Sequence, residues 1–474
     1  MYVRILGIFC LIAIISISSF AEEGGGIQPR ALGKDLKSFQ SENENRETLE
    51  TEGYNEPTGA ITLREALSLA LIRNPELRAF SWEVRARESQ ALQAGLPPNP
   101  EISFTLEDFG GTGSLEGFDG TETTILLSQL VPLGGKLSKR KKVASLNTKL
   151  AAWDYETVRL NVLTQTTVNY LNVLAAQDQL ALELELVSLA EKVHTTVSEL
   201  ARAGEISPIQ EKRSRVALSQ TKINLERFKR AIEAAKKILA SSWGSNEPRF
   251  EKVTGNLDSI SPIPTFKKLT DLLKENPDIA RWTTEMQQRE AALKLEKANA
   301  IPDPFISGGY RRISERNDNA FVVGLSIPIP VLDRNQGAIS AASRRLKKAV
   351  EERHNAQVLV NDALARAYGT LSASYEEVIL LKKDVLPEAQ SAYELIFEGY
   401  REGKFALLDV LDAQRTVFDA RLQYIESLLS YHSSRANVER LTGTPIKEIE
   451  DYQSNGITYS KDRTKNEIAE ENRE

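Results

Sequence analysis

Between Gly135 and Gly204 the chain runs for 68 residues without a proline or a glycine. Its apolar residues recur there at steps of three and four with one step of seven: Val143, Leu146, Leu150, Trp153 and Leu160, then Leu182, Leu186, Leu189, Val193, Val197 and Leu200. That period predicts one helix, roughly 100 Å long at about 1.5 Å per residue. The stripe is narrow, and Lys139, Lys141, Asp154, Glu156, Arg159, Gln165 and Gln177 surround it with polar groups. A narrow seam predicts coiled-coil-like packing against a few helical neighbours, because an isolated helix would leave the stripe wet.

The flanking pattern changes period. Thr62 with Glu65 three later reads as a capping box opening a helix that stops at Asn74-Pro75. A second helix over roughly 76–95 runs into Leu96-Pro97-Pro98-Asn99-Pro100. Then Ile102, Phe104 and Leu106 alternate with Ser103, Thr105 and Glu107, a strand with one apolar face. A glycine-rich loop leads to a second strand near 123–131, closed by Pro132 and Gly134-Gly135. After the long helix, Gly204 turns the chain and Ser207-Pro208-Ile209-Gln210 restarts it with an N-cap, a first-turn proline and a glutamine three beyond the cap.

The same order then returns. Helices end at Asn276-Pro277 and Asn299, Ile301-Pro302-Asp303-Pro304 leads into a strand over 305–312, and the polar residues 314–319 form a loop. Phe321, Val323, Leu325, Ile327 and Ile329 share a strand face, and Ile327-Pro328-Ile329-Pro330 ends it. A helical hairpin follows, interrupted by Gly369, Pro387 and Gly399, with a kink expected near Pro387. Gly204 and Gly403, like Gly244 and Gly443, stand 199 residues apart, and Pro75 and Pro277 stand 202 apart. The chain therefore reads as an internal duplication: a first repeat over 59–250 with hairpin 101–131 and turn 203–210, and a second over 262–445 with hairpin 305–330 and turn 403–412.

Composition bounds the possibilities. Arg4, the apolar run from Ile5 to Ile17 and the small residues to Ala21 predict a secretory signal over 1–21, cleaved near Ala21; a buried N-terminal helix is the alternative. Its removal takes Cys10, the only cysteine, and so excludes a disulfide framework, thiolate metal ligands and lipidation at cysteine. Of 60 basic and 66 acidic residues only Arg4 is lost, which leaves a net charge of −7. No basic domain points to nucleic acid, and the cluster Lys136, Lys139, Arg140, Lys141 and Lys142 reads as a solvated first turn. Residues 22–58 and 454–474 have the composition of a disordered leader and tail. His194, His354 and His432 are scattered and read as helix-surface residues, and no nucleophile, base and orienting group share a spacing. The chain is not expected to be an enzyme or to bind a cofactor.

No apolar run after the signal is long enough for a transmembrane helix, but four strands of about nine residues suit a tilted bilayer crossing. Four strands cannot close a barrel, and open edges are not tolerated in hydrocarbon, so several chains would share one. The alternative is a soluble sandwich beside a coiled coil. Prolines at both ends of each hairpin, Pro98, Pro100, Pro132, Pro302, Pro304, Pro328 and Pro330, suit swivels between helix and tilted strand.

Asn74-Pro75, Leu127-Ser128-Gln129 through Gly135-Lys136, Ile329-Pro330 with Asp333-Arg334-Asn335-Gln336-Gly337, and Tyr400-Arg401-Glu402-Gly403 with Leu407-Leu408-Asp409-Val410-Leu411-Asp412-Ala413 resemble the TolC-type outer-membrane efflux proteins, heavy-metal branch. The resemblance spans about 58–445. It implies a mostly α homotrimer with a small β part: long antiparallel helices in an α-barrel under a shared twelve-stranded transmembrane β-barrel. Such a trimer spans outer-membrane lipid, extends into the periplasm and docks onto a periplasmic adaptor and a resistance-nodulation-division pump. It would passively conduct substrates, heavy-metal cations in this branch. The resemblance makes Gly204, Ser207, Pro208, Gly403, Ala406 and Leu408 adaptor-docking tip residues, although a serine is expected where Ala406 stands. It makes Asp409 and Asp412, one helix face apart from the apolar stripe, a periplasmic gate of stacked carboxylate rings, with Tyr400 as a brace. A duct for multidrug efflux or type I protein secretion, and a soluble periplasmic coiled-coil scaffold, are the other readings.

Overall fold

A computed structural model describes residues 56–444 and residue 446. The expected signal sequence, leader residues 22–55 and the tail lie outside the described residues. The first half comprises β1 (Gly59–Ile61), α1 (Leu63–Arg73), α2 (Pro75–Ala94), β2 (Glu101–Glu107), β3 (Glu122–Leu130), α3 (Lys136–Arg202) and α4 (Pro208–Ser241). The strand β4 (Phe250–Val253) follows, and then α5 (Phe266–Leu272), α6 (Pro277–Asn299), β5 (Phe305–Ile313), β6 (Asp318–Ser326), α7 (Gln336–Leu380), α8 (Leu386–Arg401) and α9 (Leu407–Thr442).

Local chemistry accounts for the boundaries. The Thr62 amide donates to Glu65 Oε2 at 2.8 Å and the Glu65 amide to Thr62 Oγ1 at 3.3 Å, the reciprocal capping box. Ser207 caps α4, but the reciprocal contact expected of Gln210 is not made, and its Oε1 is buried without a partner. The break expected at Pro387 is a π turn, Leu381–Val385, directly before α8. Pro387 cannot donate to the preceding turn and its ring crowds it, so the helix widens there.

The four longer strands form one antiparallel sheet in the order β2-β3-β5-β6, so the β3–β5 pairing joins the two halves. Register places Phe104, Ile125, Tyr310 and Phe321 in one row and Ile102, Leu127, Gly308 and Val323 in another row of the same face. That face is bare, with Phe321 91% and Val323 85% exposed. Glu101, Ser103, Thr105, Thr124, Ser128, Ser307 and Arg311 fall on the opposite face together with the apolar Leu126 and Val322, and there Arg311 pairs with Glu122 at 3.0 Å. One face suits hydrocarbon and the other water.

Some expectations are corrected. β6 starts at Asp318, inside the segment expected to be loop; the turn is only residues 314–317, closed with Asn317 at φ 52°. Ile327 and Ile329 therefore lie beyond the strand. The leader ends earlier than residue 58, since Glu56 accepts from Trp243 Nε1 at 3.2 Å and pairs with Arg73 at 3.2 Å. The parallel pair β1–β4 was not anticipated. Nor is the α3 seam narrow throughout: Val173, Leu174, Ala175 and Ala176 are consecutively buried, the first three in a core shared with Trp243, Phe250 and Val253. Glu156 is buried too, with Arg159 at 3.0 Å.

Candidate functional site

Both tips close by the same backbone device. Gly204 and Gly403 take φ of 79° and 76°, a left-handed conformation that glycine adopts without steric cost. The next amide, of Glu205 or Lys404, reaches back to Leu200 or Gly399 to satisfy a terminal carbonyl, at 3.0 and 2.7 Å. Ser207 Oγ then accepts from the Ile209 amide at 3.4 Å, ahead of Pro208. Ala406 offers no such oxygen, and the Asp409 carboxylate instead accepts from the Ala406 amide at 2.8 Å. Leu408 is 57% exposed beside the tip.

Asp409 and Asp412 are both exposed on the first turns of α9. Tyr400 is placed elsewhere: it is buried with Val193, Val197, Leu407 and Val410 against α3. Its hydroxyl has no partner among the described residues, and burial raises its pKa. Tyr393, one cluster neighbour, is pushed to about 12 by burial. The ring of Phe405 lies so close to Gly399 that a Cβ there would stand 2.5 Å from it.

The joints between helix and strand are held by polar contacts rather than by the prolines alone. The Pro98 carbonyl accepts from Gln129 Nε2 at 3.0 Å, and the Pro304 carbonyl accepts from the Val131 amide at 3.0 Å. Pro132 and Pro302 are half-buried, whereas Pro100, Pro328 and Pro330 are exposed. Lys136 is not solvated: it is 4% exposed, donates to the Ile301 carbonyl at 2.5 Å and pairs with Asp303 at 2.7 Å. Asp303 also accepts from the Leu133 amide at 2.8 Å. Partial burial raises the Asp303 carboxyl, but Lys136 and the Leu133 amide outweigh this and hold it below its ordinary range. Asn335, at φ 58°, donates to the Glu296 carbonyl at 2.7 Å and so ties α7 to α6.

Two further sets of residues escaped sequence reasoning. Asn74 and Asn276 each cap the helix that follows, accepting from Leu77 and Asp278 amides at 3.0 and 2.7 Å. Each also donates, at 2.8 Å, to a carbonyl at the end of its half's return helix, Ser242 or Leu441. The repeated Asn-Pro was the available signal, read as a stop and, at Asn74-Pro75, as part of the family resemblance. The second set straps residues 253–261 across the helices. Gln177 bonds both ways with the Val253 backbone at 2.8 and 3.0 Å, Tyr424 donates to Asp258 at 2.8 Å, and Tyr431 donates to the Ser261 carbonyl at 2.8 Å. His432 Nε2 donates to the Leu257 carbonyl at 2.8 Å, and burial lowers its pKa; it is not a surface residue.

Known proteins match this arrangement. The family described as outer membrane efflux protein matches residues 66–245 and 269–444, one segment per half. The cobalt-zinc-cadmium resistance protein CzcC of Cupriavidus metallidurans is 33% identical over 389 residues, 82% of this chain and 91% of that protein. The nickel-cobalt-cadmium resistance protein NccC of Alcaligenes xylosoxydans xylosoxydans is 25% identical, covering 67% of this chain and 71% of that protein. Among solved structures, a crystal structure of CusC superposes with a TM-score of 0.70 at 18% identity, over 83% of this chain and 96% of that one. The open state of the Neisseria gonorrhoeae MtrE outer membrane channel gives 0.66 at 18% identity, over 81% and 89%.

Proposed function

We propose that this chain, which belongs to the outer membrane efflux protein family, is the exit duct of a tripartite heavy-metal efflux system. It acts without catalysis of its own, receiving cations from a periplasmic adaptor and an inner-membrane pump of the resistance-nodulation-division type. The observation that carries this reading is the sheet: four strands, one apolar bare face and two unpaired edges, set on helices of which α3 alone spans 67 residues. In hydrocarbon those edges must be paired, and three copies give a twelve-stranded closed barrel. The helices below continue the wall as a tunnel. At its far end the tips meet the adaptor through Gly204, Ser207, Pro208, Gly403, Ala406 and Leu408. Asp409 and Asp412, three copies each, form the gate that favours cations, and the buried Tyr400 braces it.

Relatives named for cobalt, zinc, cadmium and nickel resistance set the substrate class. The test is deletion of the gene and growth on graded zinc, cadmium, cobalt, nickel, copper and silver beside a panel of dyes. Loss of tolerance to divalent metals with unchanged dye tolerance is expected; sensitivity confined to dyes would move the duct to a multidrug system.

A further inference from the structure

Resting on the outer-membrane reading above, we propose that the membrane-side ends of α3 and α6 form a docking patch for anionic phospholipid of the periplasmic leaflet, whose phosphate is held by Arg140, Lys141, Lys142, Lys294 and Lys297. All five cations are exposed. None of them forms an ion pair among the described residues.

Two contacts bring the patch together. Lys136 of α3 donates to the Ile301 carbonyl just past α6, and Trp153 Nε1 of α3 donates to Thr284 Oγ1 of α6 at 3.1 Å. Both belong to one antiparallel register, which sets Arg140 level with Lys297 and Val143 level with Lys294. Lys141 turns the other way, with its stem over Gly95 at the end of α2, 3.3 Å from where a Cβ would stand. Successive helical residues point about 100° apart, so Arg140, Lys141 and Lys142 spread their charge over more than half of the helix circumference. The carboxylates of the joint are engaged: Asp303 takes Lys136, and Glu296 Oε2 accepts from Asn335 and Asn299 at 2.9 and 3.2 Å. A positive surplus is left there on a chain that is acidic overall.

The patch also stands at headgroup depth. The bare face of the sheet ends on the helix side with Ile306 and Leu325, and Leu96, Leu133 and Ile301 carry exposed apolar surface on through the joints. Arg140 and Lys142 are four and six residues into α3, about 6 and 9 Å along its axis, and Lys297 is two residues from the end of α6. Long cationic side chains span such a gap with their stems on apolar surface. Apolar groups above and cations below are the pattern of an interfacial anchor. A zwitterionic headgroup brings its own cation beside the phosphate, so the patch favours lipids of net negative charge and fixes the height of the barrel in the bilayer.

The test uses the full chain extracted from outer membranes in mild detergent and offered equal amounts of deuterated phosphatidylglycerol and phosphatidylcholine with the same acyl chains. Lipid that co-elutes with the protein is extracted and counted by mass spectrometry. The native chain is expected to retain phosphatidylglycerol over phosphatidylcholine by about ten-fold or more. The variant combining Arg140→Gln, Lys141→Gln, Lys142→Gln, Lys294→Gln and Lys297→Gln should retain the two equally, whereas Arg140→Lys with Lys141→Arg and Lys142→Arg should keep the preference. On the native chain the preference should also collapse at about 1 M salt, where the Debye length is about 3 Å, a readout that needs no variant to fold. Equal retention by the native chain, or an unchanged preference in the glutamine variant, would overturn the patch and leave the outer-membrane reading standing. A preference removed by equimolar inorganic phosphate would reassign the patch to free phosphate and overturn the lipid. Retention of neither lipid would fail both readings.

Discussion

At the scale of single residues, the joint between barrel and tunnel depends on Lys136 and Asp303, one from each half of the chain. Lys136 is an ammonium with almost no access to water, and removing its counter-charge leaves it uncompensated. Asp303→Ala is therefore expected to cost about 3 kcal/mol, read as a lowered denaturation midpoint in detergent. The pH dependence has a definite sign. Because the folded-state pKa of Asp303 is depressed from 3.8, its contribution is complete above that value and is lost as pH falls through the lowered one. The stability gap between the native chain and Asp303→Asn should be constant at neutral pH and shrink below 3.8. Asn74 and Asn276 make matching pairs of bonds in the two halves, a cap and a buried cross-link. Alanine at either should cost about 2 kcal/mol, and aspartate, which retains the cap oxygen but loses the donor, about half as much; no loss with aspartate would mean the cross-link is idle, and equal losses would mean the cap is. Neither pair was legible in the sequence, because both partners lie more than a hundred residues away and no period records such a contact.

At the scale of elements, the helices and the two tips were legible because they are specified locally. The capping box at Thr62 and the glycines at 204 and 403 act within one turn of themselves. β1 and β4 were not, since strands of three and four residues are too short to show a period, and they form only where Tyr170 and Gln177 of α3 hold the linker. Asp318 and Asn319 were taken for loop because they are polar, yet at the outer end of the sheet a strand can carry such groups into water. The first turn of α9 joins structure to the proposed gate. Asp409 holds the Ala406 amide, so its removal disturbs the turn as well as the charge. Asn at 409 and 412 keeps an oxygen acceptor and deletes the charge. In single-channel recordings the double Asp→Asn variant is expected to pass more current and to be blocked less by multivalent cations. Unchanged conductance and block would take the gate away from these carboxylates.

At the scale of the whole molecule, the duplicated plan and the open sheet belong together. Each half contributes two strands and a helical hairpin, the β3–β5 pairing fuses the halves, and Arg440 of α9 crosses to Asn161 of α3 at 2.6 Å and Asp278 of α6 at 3.1 Å. The two halves are thus joined in one structure that encloses nothing by itself. A soluble scaffold would have to leave Ile102, Phe104, Phe321, Val323 and Leu325 in water on one contiguous face, far more apolar surface than a lone soluble chain tolerates. The most direct measurement is the native mass of the protein extracted by mild detergent from the outer-membrane fraction. Three chains per particle, found in that fraction and absent from the soluble periplasm, is the predicted result. A folded single chain, or recovery in the soluble periplasm, would contradict it.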